Sequence, residues 1–400
     1  MSFQETKSVS WFGRIKRSFG GVVVGLALIV GMISLLFWNE GRAVQTARSL
    51  AEGAGLVVPV DAGAIDPARE GSLIHISGPV ATAAPVGDPE FGIAAEGVRL
   101  MRSVEMFQWI ESSRTETKTK LGGGEEQVTT YSYGMDWSDR AHDSSKFKDI
   151  QDHQNPPMAV GKATFQVDSA TLGAFRLEAN ALNLIGGARD MRIRADQAEE
   201  VQQAVGAGMR ASIVDGGIYL GINPLQPRVG DYRIGYRLVP AGTISVVGRQ
   251  AGSSLGAYQT EAGNALLMVN EGVVPAQEMF DSAASSNTVL TWGARIAGLG
   301  LLIFGFTLVL GPLGVIGDVI PFVGSIVRMG TGVVAWIAGI LVGSGTIALA
   351  WFFYRPLTAI IVIAVGIAAA IFVPRLLKRR RGTGAPGGPT AMAEEARRNA

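Results

Sequence analysis

Ser18–Trp38 reads SFGGVVVGLALIVGMISLLFW and carries no charge over 21 residues. At 1.5 Å per residue such a helix covers about 32 Å, the depth of a bilayer's hydrocarbon core, so the stretch predicts a transmembrane helix. Three further apolar runs crowd the other end of the 400-residue chain: Ile296–Val315, Thr331–Phe353 and Leu357–Val373. Between the first run and the second lies a polar, turn-rich segment, Asn39–Thr291, of roughly 250 residues, long enough for a core of its own. The expected fold is an α-helical membrane protein of four transmembrane helices with a large extracytoplasmic α+β domain built on antiparallel sheet. Its segments are 1–17, a basic cytoplasmic N-terminus; 18–38, the first span; 39–291, the domain; 292–316, the second span; 317–330, a cytoplasmic loop; 331–353 and 357–374, the third and fourth spans; and 375–400, a basic, disordered tail.

Charge sets the expected orientation. Lys7, Arg14, Lys16 and Arg17 precede the first span, and Arg375, Lys378, Arg379, Arg380 and Arg381 follow the last. Basic residues beside spans stay cytoplasmic, and four spans return both termini to one side, so the two clusters agree. The first span reads as a retained signal anchor: it exceeds a signal-peptide core, and Phe37-Trp38-Asn39-Glu40 lacks a small-residue cleavage site. The site of residence is then an integral membrane with both termini cytoplasmic, and the domain is periplasmic or outer-face in a bacterium, where the membrane is the inner one, and lumenal in a eukaryote. With 35 Lys and Arg against 34 Asp and Glu, the net charge of +1 gives no electrostatic footprint for nucleic acid. The lack of cysteine excludes disulfides and thiolate metal sites.

Within the domain, Asn39 is placed to cap a juxtamembrane helix through Ala43, Val44, Ala47, Leu50 and Ala51, ending at Gly53 and Gly55. Strands follow. Arg114–Lys120 and Gln127–Tyr133, joined by Gly122-Gly123-Gly124, predict a polar β-hairpin. Asp215-Gly216-Gly217 predicts a tight turn between Ile213-Val214 and Ile218–Leu220. Helices are expected at Asp196–Ala207 and Pro275–Ala284.

Catalytic patterns are sparse. Gly252-Ser253-Ser254-Leu255-Gly256 matches a nucleophile elbow, but all three histidines precede it and no helix pattern follows. His142, Asp149 and His153, with Asp143 and Asp152, are the densest group of potential metal ligands. Their spacing does not place two ligands on one helical face, and a solvated loop before Asn155-Pro156-Pro157 is the preferred reading. No phosphate loop or H-E-x-x-H occurs, so no catalytic residue and no cofactor are expected.

Phe37-Trp38-Asn39-Glu40-Gly41-Arg42-Ala43 after the first span, Val104–Trp109, Tyr131-Ser132-Tyr133 with Trp137, His153-Gln154-Asn155-Pro156, Thr291-Trp292-Gly293 with Arg295, and Trp351–Leu357 together resemble the transmembrane protein 43 (LUMA) family. The motif positions are Asn39, Glu40, Gly41, Arg42, Trp109, His153, Asn155, Pro156, Trp292, Tyr354, Arg355 and Pro356. The resemblance implies four spans, a large lumenal domain, in animals residence in the endoplasmic reticulum and inner nuclear membrane, self-association and a membrane-organising role, with no catalytic residues to carry over.

Small residues mark helix faces for close packing: Gly21 and Gly25; Ala335, Gly339 and Gly343; Ala364 and Ala368. They serve either one bundle or contacts between subunits. The leading expectation is a non-enzymatic membrane scaffold, a homo-oligomer whose domain binds protein or lipid partners. The alternatives are a pore or transporter in the last three spans, using Ser344 or Asp318, and a hydrolase or lipid-modifying enzyme around His142, Asp149 and His153.

Overall fold

A computed structural model describes residues 2–206, 208–357, 359–361 and 364. The α-helices bounded within them are α1 Trp11–Leu56, α2 Ala179–Leu184, α3 Ala198–Val205, α4 Ala276–Gly317 and α5 Pro321–Tyr354. Among the described residues, α1, α4 and α5 alone are long and apolar enough to cross a membrane. The fourth expected span begins helically at Pro356 and Leu357, and most of it lies outside the described residues.

The long helices revise several expected boundaries. Asn39 is not a cap: α1 runs unbroken from Trp11 to Leu56, begun by Ser10, whose hydroxyl accepts from Gly13 N at 3.2 Å. Gly53 does not stop it either, because that glycine lies where a Cβ would strike Leu266 and Phe280. The helix expected at Pro275–Ala284 and the second span are one continuous rod, α4. The loop expected over 317–330 shrinks to Asp318–Ile320, since Pro321 opens α5 at its first turn, where its missing N–H costs nothing.

The domain is two sheets. The first runs Ser2–Val9, Glu125–Ser138, Gly97–Thr119, Tyr232–Pro240, Gly217–Leu220, Ala211–Val214, with Ala163–Gln166 and Arg189–Met191 on its flanks. The second is built around Leu73–Thr82 and Thr243–Ala251. The expected turn at Asp215-Gly216 is present, both residues at positive φ (54° and 83°), as a two-residue hairpin requires. Ile74, Ile76, Val98, Leu172 and Val246 fill one core, and Leu100, Val104, Met106, Ile218 and Ile234 another. A third cluster, Leu50, Leu73, Val247, Leu266, Met279 and Phe280, welds the inner turns of α1 and α4 onto the second sheet.

The largest departure is at the N-terminus. Residues 1–17, expected as a free basic segment, contain a strand, Ser2–Val9, paired antiparallel with 125–132 of the long hairpin. Alternating Phe3, Glu5, Lys7 and Val9 fit that strand, and Val9 is buried at its inner end. The hairpin itself is far longer than Arg114–Tyr133: its strands span Gly97–Thr119 and Glu125–Ser138. The pairing joins a segment that charge assigns to one side of the membrane with a domain it assigns to the other.

Candidate functional sites at the two ends of the helix bundle

α1 and α4 are polar at two depths, and each depth holds a buried carboxylate. On the domain side the carboxylate is Glu40, fully buried. Arg295 of α4 donates to it twice, Nε to Oε1 at 2.6 Å and Nη2 to Oε2 at 2.8 Å, and Trp351 Nε1 of α5 donates to Oε2 at 2.9 Å. The Arg295 guanidinium also lies over the rings of Trp292 (4.6 Å) and Trp351 (5.6 Å), contacts that suit a weakly hydrated planar cation. Around this pair Asn39 Nδ2 donates to the Thr291 carbonyl at 3.3 Å. Arg42 donates to Asn287 Oδ1, Asn39 Oδ1 and Thr291 Oγ1 at 3.1–3.2 Å. Gly41 faces the Tyr354 ring, whose Cζ is 2.6 Å from where a Cβ would stand, so only glycine admits α5 there.

At the far end the carboxylate is Asp318, in the α4–α5 turn and also fully buried. Arg14 donates to its Oδ2 at 2.6 Å and Arg328 at 2.9 Å. Arg14 reaches the tip of the long hairpin as well: Nη1 donates to the Gly123 carbonyl at 2.6 Å, and Nη2 lies 2.8 Å from Glu125. Trp11 Nε1 donates to the Val315 carbonyl at 3.0 Å and Gly122 N to the Val319 carbonyl at 3.3 Å. Asp318 Oδ1 has no partner among the described residues and abuts Gly324, where a side chain would collide with it.

A third polar cluster holds the base of the hairpin. Asn155 imitates a paired strand: its Oδ1 accepts from Trp109 N at 2.7 Å while Nδ2 donates to the carbonyls of Trp109 (2.9 Å) and His142 (3.0 Å). His153 is buried, stacked on Tyr133 at 4.2 Å and edge-on to Trp109 at 4.7 Å. Its Nδ1 is 3.2 Å from the Asp149 carbonyl and so carries the proton. Burial, then the hydrogen bond to Glu111, pushes the Tyr133 phenol up. The Ser145 hydroxyl and then Lys146 hold Asp143 down at about 2.

The chain matches the family profile described as Transmembrane protein 43 over residues 106–356. It is 32% identical to Transmembrane protein 43 of Homo sapiens over 382 residues, 92% of each chain. The chain belongs to the transmembrane protein 43 family. The orangutan protein, from Pongo abelii, is 32% identical over 385 residues, again 92% of each chain. A Drosophila melanogaster homolog is 29% identical over 292 residues, 71% of this chain and 74% of its own. No solved structure matches.

The motif residues fall into the clusters just described. Asn39, Glu40, Gly41, Arg42, Trp292 and Tyr354 meet at the domain-side end of the bundle, where Arg355 ends α5. Trp109, His153 and Asn155 meet at the hairpin base, and Pro156 packs toward Gly230 there. The candidate metal ligands are occupied otherwise. His142 Nε2 pairs with Ser138 Oγ at 3.1 Å, Asp149 Oδ1 accepts from Gln151 N, and no group of three such side chains converges among the described residues.

The small residues pack within one chain. A Cβ at Gly25 would lie 2.6 Å from the Gly305 carbonyl, one at Gly339 2.6 Å from Ile303 Cγ1, and Gly343 faces Leu299 and Leu302. Ala335 is fully buried, whereas Gly21 only grazes Leu308; Ala364 is helical and exposed, and Ala368 lies outside the described residues. Ser344 is exposed on α5 rather than turned into the bundle. The sequence reading named Arg295 and Trp351 among the family-like motifs and Arg14 among the basic flank, but did not pair them with Glu40 and Asp318. The signal was available in principle: Glu40 just after one apolar run and Arg295 just before another.

Proposed function

We propose that the protein is a non-enzymatic, multi-pass membrane scaffold that self-associates and engages protein or lipid partners through its sheet-rich domain. One observation carries the reading. The carboxylates buried in the bundle, Glu40 and Asp318, are both held by arginines of the same bundle, with Trp351 completing the first. A charged side chain at membrane depth is costly and is held by an opposite charge. These are clamps, fixing three helices against each other and the domain against the helices. For self-association the first sheet offers open edges at Ser2–Val9 and Ala211–Val214, the form of surface that pairs with another chain.

The test is the mass of the full chain in nanodiscs. A discrete oligomer supports the reading, and a monomer at every protein concentration contradicts self-association. The scaffold itself is tested by ion and solute flux in reconstituted vesicles, where flux above protein-free vesicles that is lost in Asp318→Asn would favour transport instead.

A further inference from the structure

The polar hairpin and the apolar bundle are tied together at both ends. At one end the third core cluster joins α1 and α4 to the second sheet, whose strands share a core with Val98 at the start of the hairpin. At the other, Gly122, Gly123 and Glu125 at the hairpin tip bond to Val319 and Arg14. Between its two ties, Arg14 and Leu50, α1 rises about 54 Å, and the strand Gly97–Thr119 extends about 76 Å, long enough to reach from the shared core to the tip. The apolar run Ser18–Trp38 lies between those ties, so the hairpin passes its depth instead of standing clear of it.

Its chemistry at that depth is incompatible with lipid. Residues 112–118, Ser-Ser-Arg-Thr-Glu-Thr-Lys, are all exposed, and the paired strands add Glu126, Gln127, Thr129 and Thr130 on one side and Gln4, Glu5, Thr6 and Lys7 on the other. The outer edge of Ser2–Val9 leaves its backbone groups unpaired among the described residues. Charged side chains and an open strand edge are not tolerated in hydrocarbon. The opposite requirement holds for Val24, Val30, Ile296, Phe304, Trp336 and Leu341, which are exposed, uncharged and placed for lipid.

We infer that the bundle has a hydrated flank: the three-stranded ribbon of Ser2–Val9, Glu125–Ser138 and Gly97–Thr119 forms a polar wall beside α1, α4 and α5, water bathes it at membrane depth, and the N-terminal strand shares one aqueous compartment with the hairpin tip. This is independent of the scaffold reading, since a wetted flank serves a scaffold and a conduit equally.

The chain has no cysteine, so the test needs no background removal. Thr6 faces Val128 across the antiparallel pair, where Cα atoms stand about 4.5–5.5 Å apart, within disulfide reach. In oxidised membranes Thr6→Cys/Val128→Cys closes an intramolecular disulfide that reductant opens. Single cysteines at Ser112, Thr115 and Thr117 react with a hydrophilic maleimide in intact vesicles at least tenfold faster than Val30→Cys. The inference is overturned if Thr6→Cys and Val128→Cys form no disulfide and are each labelled only from opposite faces of the membrane. It is overturned equally if the disulfide forms but the ribbon cysteines react as slowly as Val30→Cys. Folding of each variant is checked by the melting temperature of the purified protein, which remains within a few degrees of the parent.

Discussion

The two ends of the helix bundle solve one problem in two ways. Each buries a carboxylate against an arginine of another segment, Glu40 with Arg295 and Asp318 with Arg14. At the domain end all partners are helical, and the Arg295 guanidinium lies over the Trp292 and Trp351 rings. At the far end the pair stands open on one side: Arg328 is half exposed, and a hairpin tip from the domain completes the shell. The difference teaches where rigidity resides. The first layer fixes the helices; the second fixes the ribbon to the helices.

Removing Glu40 therefore has the largest effect. Glu40→Ala leaves Arg295 buried without a counter-charge and Trp351 without an acceptor, a loss of about 3–5 kcal/mol. It is read as a fall in the thermal unfolding midpoint of the detergent-solubilised protein. Glu40→Ala combined with Arg295→Met recovers part of it, because the unpaired charge is gone.

Asp318→Asn comes next, and its consequence is local. Arg14 keeps Glu125 and the Gly123 carbonyl but loses its counter-charge in the α4–α5 turn, so the tip loosens from the helices while the Glu40–Arg295 pair at the other end holds. Hydrogen exchange rises in residues 120–132 and 2–9 and stays unchanged in the middle of α4. If exchange rose equally in α4, the two layers would not be separable. Gly324→Ala reproduces the effect sterically, since the added methyl overlaps Asp318 Oδ1.

Asn155→Ala removes three hydrogen bonds to the backbone around Trp109 and His142. It costs about 1–3 kcal/mol, confined to the domain. The near-ultraviolet signal of Trp109 and Tyr133 changes, while exchange in α1, α4 and α5 does not.

The smallest effect is titration of Glu5 against Lys148, 3.0 Å apart between the N-terminal strand and the loop beyond the hairpin. The hydrogen bond and charge of Lys148 lower the Glu5 carboxyl, and Glu5 raises the Lys148 ammonium. The Glu5 contribution is present above its ordinary value of 4.5 and is lost as pH falls through the lowered one. That of Lys148 is present below 10.5 and is lost as pH rises through the raised value. Exchange protection of Ser2–Val9 is thus broadest in the neutral range, with a shallow decline at either extreme, because both groups are about half exposed.

Helices, hairpins and the polar domain between spans were legible because each is written in local pattern: apolar length for α1, α4 and α5, Gly122-Gly123-Gly124 for the turn, Asp215-Gly216 for another. The family was legible from motifs scattered along the chain. What those motifs do was not, since Glu40 finds Arg295 across 255 residues and Arg14 finds Asp318 across 304. No local rule reports such pairs. The N-terminal strand was hidden for a different reason: Lys7, Arg14, Lys16 and Arg17 invite a charge-based reading of sidedness, which outweighs the strand alternation of Phe3, Glu5, Lys7 and Val9. Asn39 misled in the same way, a good cap by type that serves instead as a donor to α4.

The central claim is that the hairpin tip meets the α4–α5 turn. Leu121 and Met329 are both strongly exposed at that end and accept spin labels through Leu121→Cys and Met329→Cys. Dipolar spectroscopy on the doubly labelled protein in nanodiscs is predicted to give one narrow, short distance, well under the length of the bundle. A broad distribution centred beyond about 40 Å, the span of a bilayer with its headgroups, would contradict it.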